Sequence, residues 1–365
     1  MYDAALYART LQNVAAAQPD FYVTLGDDFS IDPLIARGGL TAGAVDQIYL
    51  DQRRFLSAVG RSAPLFLVNG NHEQAAAFLL NGTATSPPVL AGLARNRFFL
   101  LPAPDAFYTG DAEPVEFVGL RRDDYAWTWG DALFVVIDPY WHSPALVDAP
   151  PGGGGGGGGA GRAGGQGGAR GGRQGGQRGN AGQGGAQRTR DLWQVSIGDA
   201  QYQWLTKTLT QSRAKFKFVF AHHVFGTGRG AVELVDLFEW GGKNRAGVWE
   251  FGAKRPSWAL PIHQLMVKTG VSAFFQGHDH LFARQQRDGI VYQETPSPGD
   301  PSYTAFHRDA SKSGDILPNS GFLRVTVSPA SVKVEYVRSW LPGDETADRR
   351  NGEIAFSDTI TPGAP

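Results

Sequence analysis

Four short polar motifs each follow directly on an apolar run, and this placement constrains the fold more than any other feature of the sequence. The motifs are Gly26-Asp27-Asp28, Gly70-Asn71-His72-Glu73, Ala221-His222-His223 and Gly277-His278-Asp279-His280. The preceding runs, such as residues 21–25, are apolar and predict buried strands. In open α/β sheets, loops at the carboxyl ends of strands converge on one crevice. The sequence therefore predicts a layered α/β protein with one site at that end of its sheet.

Predicted helices and strands alternate along the rest of the chain. Apolar residues at helical spacing predict helices over residues 4–17 and 44–59. Apolar runs predict further strands at 64–68, 116–120, 132–137, 216–221 and 271–275. Residues 321–337 alternate in period two and predict a hairpin that turns at Ser328-Pro329-Ala330. We expect one domain over residues 1–345 and a flexible tail over 346–365.

One segment, residues 152–186, consists almost entirely of glycine, alanine, glutamine and arginine. It cannot bury enough apolar surface to offset the entropy of ordering, so we expect residues 151–188 to be a disordered insertion in that domain. Its arginines could instead bind RNA, but only one Arg-Gly-Gly triplet occurs and no aromatic residue is interleaved for base stacking. Nucleic acid is therefore an unexpected partner.

Bulk composition restricts the possible metal ligands but says little about the binding partner. The formal net charge of -1 gives no reason to expect nucleic acid or an anionic membrane. The chain has no cysteine, which excludes thiolate ligands and points any metal site toward His, Asp, Glu and Asn. No apolar run approaches the roughly 20 residues of a membrane span. Lack of cysteine suits an exported or periplasmic protein, but many cytosolic proteins share it, so the compartment stays open.

The side chains gathered by the four motifs are oxygen and imidazole donors, the set suited to Fe, Mn or Zn. Hydrolysis of phosphate esters can use two such ions roughly 3.5 to 4 Å apart, which activate water and neutralise the phosphoryl group. The candidate ligands are Asp27 as a bridge, Asn71, His222, His278 and His280. On an extended segment, His278 and His280 would point the same way.

In this order, the motifs resemble the signature of the calcineurin-like metallophosphoesterases, the superfamily that includes the purple acid phosphatases. The resemblance spans residues 21 to about 282 and is carried mainly by Gly70-Asn71-His72-Glu73 and Gly277-His278-Asp279-His280. It implies a four-layer α/β/β/α sandwich with a dinuclear metal centre. It also implies hydrolysis of a small phosphomonoester or phosphodiester by a metal-bound hydroxide, without a covalent intermediate.

The resemblance also implies a role for each matching residue. Asp27 would bridge both metals and take part in catalysis. One metal would be completed by Asn71, His222 and His278, and His280 would join the other. His72 would be catalytic, facing the substrate and assisting the leaving group, as suits an imidazole near neutral pH.

Several neighbouring residues keep two readings. His223 competes with His222 for the ligand role. Asp28 and Asp279 are either partners that orient the imidazoles or helix caps. His142 follows a core strand and either reaches the substrate or is an ordinary histidine. Four basic residues either contact phosphate or are simply exposed: Arg229, Lys243, Arg245 and Arg284.

Two departures from the family pattern matter. An Asp-X-His motif should precede Asp27, but residues 1–25 contain no histidine. We expect that the chain begins downstream of its first strand and that only the metal of Asn71, His222 and His278 binds well; the alternative is a catalytically impaired metal-binding domain. Ser30 stands where purple acid phosphatases have a metal-binding tyrosine, which predicts a colourless protein.

Overall fold

A computed structural model describes residues 2–147, 191–224 and 229–362, so the predicted insertion at 151–188 lies outside the described residues. The helices within these ranges are α1 (Ala4–Ala16), α2 (Asp32–Ala36), α3 (Ala42–Gly60), α4 (Pro87–Phe98), α5 (Gly198–Gln211), α6 (Phe238–Gly241), α7 (Phe251–Lys254) and α8 (Ile262–Lys268). None of these helices combines the length and apolar character that a membrane crossing requires.

The strands are β1 (Tyr22–Thr24), β2 (Leu65–Leu67), β3 (Thr109–Gly110), β4 (Tyr125–Trp129), β5 (Ala132–Val136), β6 (Phe216–Phe220), β7 (Ala273–Gln276), β8 (Phe282–Arg287), β9 (Ile290–Glu294), β10 (Asp315–Leu317), β11 (Gly321–Val327), β12 (Val332–Arg338) and β13 (Ile354–Ile360). Strands β1, β2, β5, β6 and β7 and the β11–β12 hairpin fall where the sequence predicted them.

An eight-stranded mixed sheet, in the order β10-β8-β9-β7-β6-β5-β4-β3, forms the centre of the fold. Strands β5, β6, β7 and β9 run parallel, with Val135 beside Val219 and Val219 beside Phe274. The carboxyl ends of β6 and β7 therefore lie side by side. These ends carry His222 and His278, respectively.

Two smaller sheets pack against one face of the large sheet. Strand β1 pairs with β2 in parallel, and β11, β12 and β13 form an antiparallel sheet. Aromatic side chains fill the interface: the ring of Phe21 lies 5.0 Å from that of Phe134, and Phe66 stacks on Trp127 at 4.0 Å between centroids. Such rings bury large apolar areas, so this layer holds the sheets together.

Helices cover both outer faces. Residues of α1, α3 and α4, such as Leu11, Leu56 and Ala94, join one apolar cluster beside β2 and β11. Residues of α5 and α8, such as Leu205 and Met266, join another on the far face of the large sheet. The layers run helix, sheet, sheet, helix, which confirms the predicted α/β/β/α sandwich.

A cavity of about 1160 Å³ separates β1 from β11. Residues 21–25 line one side and residues 321–327 the other, and Asp27, His278 and His280 lie at its wall. Among the described residues, β1 pairs only with β2 and β11 only with β12. Alternate N–H and C=O groups of both strands therefore face the cavity.

Two local predictions differ from the structure. The strand predicted at residues 116–120 is wrong: Val115 and Gly119 close a tight turn, and Phe117 and Gly119 have φ of 66° and 78°. Positive φ angles are incompatible with an extended strand. Part of the expected flexible tail is instead β13, because Ile360 is buried in the core and Phe356 packs against Phe282.

Candidate metal centre

The loops after β1 and β2 touch each other. A Cβ atom on Gly26, whose φ is 91°, would lie 2.5 Å from the backbone nitrogen of Gly70. A Cβ atom on Gly70 would lie 2.2 Å from Oδ1 of Asp27. Only glycine fits at either position, so backbone contact sets the distance between the loops that carry Asp27 and Asn71.

The carboxylate of Glu73 joins these two loops through hydrogen bonds. Its Oε2 accepts the backbone N–H groups of Asp27 at 3.0 Å and Gly70 at 2.7 Å, while Oε1 accepts that of Phe29 at 3.0 Å. The residue is fully buried, and burial together with the charge of Asp27 raises its pKa. Sequence reasoning missed this role, because its only signal was the place of Glu73 in the second motif.

Donor atoms from the four motifs converge on Nε2 of His222. This atom lies 3.1 Å from each of three others: Oδ2 of Asp27, Oδ1 of Asn71 and Nδ1 of His278. The other ring nitrogen, Nδ1, lies 2.5 Å from the carbonyl oxygen of Leu25. A carbonyl can only accept, so Nδ1 of His222 carries a proton and Nε2 faces the cluster.

The cluster fits a cation better than a proton. Asp27, His222 and His278 offer ligand atoms that all lie within 4.8 Å of one another. A proton on Nε2 of His222 satisfies one neighbour, whereas a metal ion accepts lone pairs from all of them. Burial opposes both shifts, yet the pair holds the pKa of Asp27 below its usual range and that of His222 above it. Both shifts favour the charged form of the group: a negative carboxylate on Asp27 and a positive imidazole on His222.

His72 stands at the rim of the cluster. Its backbone N–H donates to Oδ1 of Asp27 at 3.0 Å, and its half-exposed ring lies with Nε2 4.0 Å from Oδ2 of Asp27. Its Nδ1 lies 2.7 Å from Oδ2 of Asp32, a hydrogen bond that raises the pKa of His72 to about 9. Asp32 begins α2, and nothing in the sequence pattern indicated that it would reach His72.

The remaining motif residues surround the cluster. His280 lines the same cavity but lies outside the group within 4.8 Å, and burial lowers its pKa to about 4. The buried ring of His223 lies 4.8 Å from that of His278, and its Nδ1 lies 3.0 Å from the carbonyl oxygen of Val224. The contacts to Asp27 and Asn71 described above are made by Nε2 of His222. Oδ1 of Asp28 lies 3.4 Å from the side-chain nitrogen of Gln52, and burial raises its pKa to about 7.

Other candidates are engaged elsewhere. His142 packs on Gly198, the first residue of α5, where a side chain would collide with its ring. Arg284 is paired with Asp358 of β13 at 2.6 Å. Lys243 lies 3.8 Å from Asp236. Asp279 is fully buried, and its Oδ2 accepts the backbone N–H of Gly230 at 2.6 Å.

Solved structures of phosphatases share this architecture. Purple acid phosphatase PPD1 from yellow lupin (Lupinus luteus) superposes with a TM-score of 0.51 at 14% identity, over 99% of this chain and 49% of that one. PhoD superposes with a TM-score of 0.51 at 13% identity, over 91% of this chain and 63% of that one. The chain has the metallophosphoesterase fold. It spans about half the length of the lupin enzyme.

A dimetal phosphatase from Danio rerio is also similar, with a TM-score of 0.48 at 14% identity, over 99% of this chain and 89% of that one. No protein-family model and no curated protein matches the sequence. In this metallophosphoesterase fold, the four motifs lie at the carboxyl ends of β1, β2, β6 and β7.

Proposed function

We propose that the chain is a metal-dependent phosphoric ester hydrolase that acts on small phosphomonoesters or phosphodiesters. One observation carries the proposal: in a metallophosphoesterase fold, Asp27, Asn71 and His278 converge within 3.1 Å of Nε2 of His222. Oxygen and imidazole donors in this combination suit Fe, Mn or Zn.

Asp27, Asn71, His222 and His278 would hold one ion, and Asp27 and His280 would contribute to a second. When bound, such ions supply Lewis-acid activation of water and neutralise charge on the phosphoryl group. The chain's own residues hold the ligands in place. The carbonyl oxygen of Leu25 orients the ring of His222, and the carboxylate of Glu73 fixes the backbone of Asp27.

His72 would work on the leaving group. Its ring is half exposed beside Asp27. Asp32 accepts the proton of Nδ1, so Nε2 is the ring nitrogen left to face the substrate. From this position, Nε2 of His72 can donate a proton or a hydrogen bond to an ester oxygen, the usual task of a general acid. Asp32 would position His72 without touching the substrate.

Within the residues that the structure describes, Asp27 and His280 are the candidate ligands of the second metal. We infer that the missing ligands come from an additional strand in the cavity between β1 and β11. Asn319, just before β11, donates to the carbonyl of His280 at 2.5 Å, so β11 begins at the metal end where β1 finishes. The two strands run in opposite directions, and one extended segment parallel to β1 can pair with both.

The chain alone therefore supports a second candidate, a domain that binds one metal without turnover. The two are separated by metal titration and by hydrolysis of p-nitrophenyl phosphate and its bis-ester with Mn, Fe or Zn. We expect one tight ion per chain, and two when an extended strand carrying Asp-X-His is fused before residue 2. Turnover should appear with the second ion. Absence of any tight metal site would overturn the proposal.

A further inference from the structure

The turn that carries His278 and His280 has an unusual backbone. His278 has φ of 74° and His280 has φ of 53°, in the left-handed region that residues with a side chain seldom adopt. Such conformations persist only where the surroundings over-determine them. The contacts that hold this turn therefore control where the two imidazoles point.

Asp279, between the two histidines, is the anchor of the turn. Its fully buried carboxylate accepts the backbone N–H of Gly230 at 2.6 Å through Oδ2 and Nη1 of Arg229 at 3.1 Å through Oδ1. Its own backbone N–H donates to Oε1 of Glu294, on β9, at 3.1 Å. The side chain of Asp279 is thereby tied to residues 229–230, and its backbone is tied to β9.

Arg229 holds the turn twice. The same Nη1 that binds Asp279 also donates to the carbonyl oxygen of His278 at 3.0 Å. The guanidinium supplies positive charge beside a buried carboxylate, which would otherwise lack compensation next to Glu294. Its side chain is 36% exposed, so it combines this clamp with a position at the surface.

We propose that Arg229 is a positioning residue for the metal centre, clamping the His278–His280 turn rather than contacting phosphate. The inference rests on the proposed metal site and deepens it. Among the described residues, both hydrogen bonds of Arg229 go to this turn, through Nη1. Outer contacts of this kind are typically worth 10- to 100-fold in metal affinity.

Hydrogen exchange tests the clamp without any metal. In the metal-free protein, Arg229→Ala should raise exchange in the peptide covering residues 277–281, because the Asp279 and His278 contacts are lost. Arg229→Lys should fall between Ala and wild type, since one ammonium can reach one of the two acceptors. Arg284→Ala, which breaks the Arg284–Asp358 pair on other strands, is the matched control and should leave this peptide unchanged.

Metal titration tests the consequence. Calorimetric titration with Mn²⁺ should show affinity weakened about 10- to 100-fold in Arg229→Ala and unchanged in Arg284→Ala. Unchanged exchange at residues 277–281 would overturn the inference. So would unaltered Mn²⁺ affinity together with weaker binding of inorganic phosphate, the pattern of a phosphate contact. A wild-type protein that binds no Mn²⁺ would refute the proposed function, while exchange would still decide the clamp.

Discussion

The carboxylate of Glu73 accepts the backbone N–H of Asp27 at 3.0 Å, although 46 residues separate them in the chain. The same carboxylate oxygen accepts the N–H of Gly70. One buried side chain thus fixes both loops that face the candidate metal position. The arrangement places Asp27 and Asn71 independently of any ion.

Replacing Glu73 by Gln should weaken both the site and the fold. An amide presents hydrogen as well as oxygen, so at least one of three backbone N–H donors loses its acceptor. We expect the free energy of unfolding to fall by about 1.5 to 3 kcal/mol, the worth of a hydrogen bond to a charged group. Denaturant unfolding and Mn²⁺ titration measure the two effects. The exposed Glu116→Gln is the control; equal behaviour of both variants would contradict this role.

In the protein with the fused Asp-X-His strand, His72→Asn should leave metal content intact and reduce turnover by about 10²- to 10⁴-fold, the usual contribution of a positioned acid or base. Asp32→Asn should cause a smaller loss, because the ring of His72 stays in place but its hydrogen bond weakens. Steady-state kinetics with metal analysis separates these effects. Unchanged turnover in His72→Asn would remove this residue from the mechanism.

The stability of the metal-free protein should fall as pH rises toward neutrality. Burial raises the pKa of Asp138 from 3.8 to about 7, and Asp123 adds to the shift. The folded chain binds this proton more tightly, so its contribution is complete below about pH 4 and is lost as pH rises through about 7. Asp138→Asn should flatten the decline in Tm between about pH 5 and 7.5. The exposed Asp131→Asn should retain the full decline.

Reconstitution with ferric iron should give a colourless protein. Ser30 stands three residues after Asp27, and its Oγ donates to Asp32 at 3.0 Å. A hydroxyl of this kind lacks the phenolate that gives purple acid phosphatases their colour. An intense visible absorption band after ferric loading would show that a tyrosine elsewhere reaches the iron.

Sequence patterns predicted the strands in which every residue is buried. Strands β5, β6 and β7 are buried along their whole length, and their residues are apolar except for Lys217 and Gln276. Strands β8 and β9 were missed because they contain the buried polar residues Gln285 and Gln293. Their side-chain nitrogens donate to the carbonyl oxygens of Ser313 and Ala283, respectively. Such partners exist only once the chain has folded.

In the candidate site, too, local sequence predicted the ligand residues but not the contacts that form only on folding. Residues at strand ends were predicted to converge, and Asp27, Asn71, His222 and His278 do so. The supporting contacts of Glu73, Asp32 and Arg229 join segments far apart in the chain or lie off the strand ends. No local spacing encodes them.

The open edges of β1 and β11 also affect whether the protein self-associates in solution. Within the described ranges, β1 and β11 each leave one edge unpaired. Such edges are templates for other strands, and natural proteins usually block them with charge, proline or a covering element. Here the edge of β1 is apolar throughout Phe21 to Leu25 except for Thr24. Concentrated solutions of this chain should therefore self-associate by edge-to-edge strand pairing and become turbid. A peptide strand bound between β1 and β11 should suppress the turbidity.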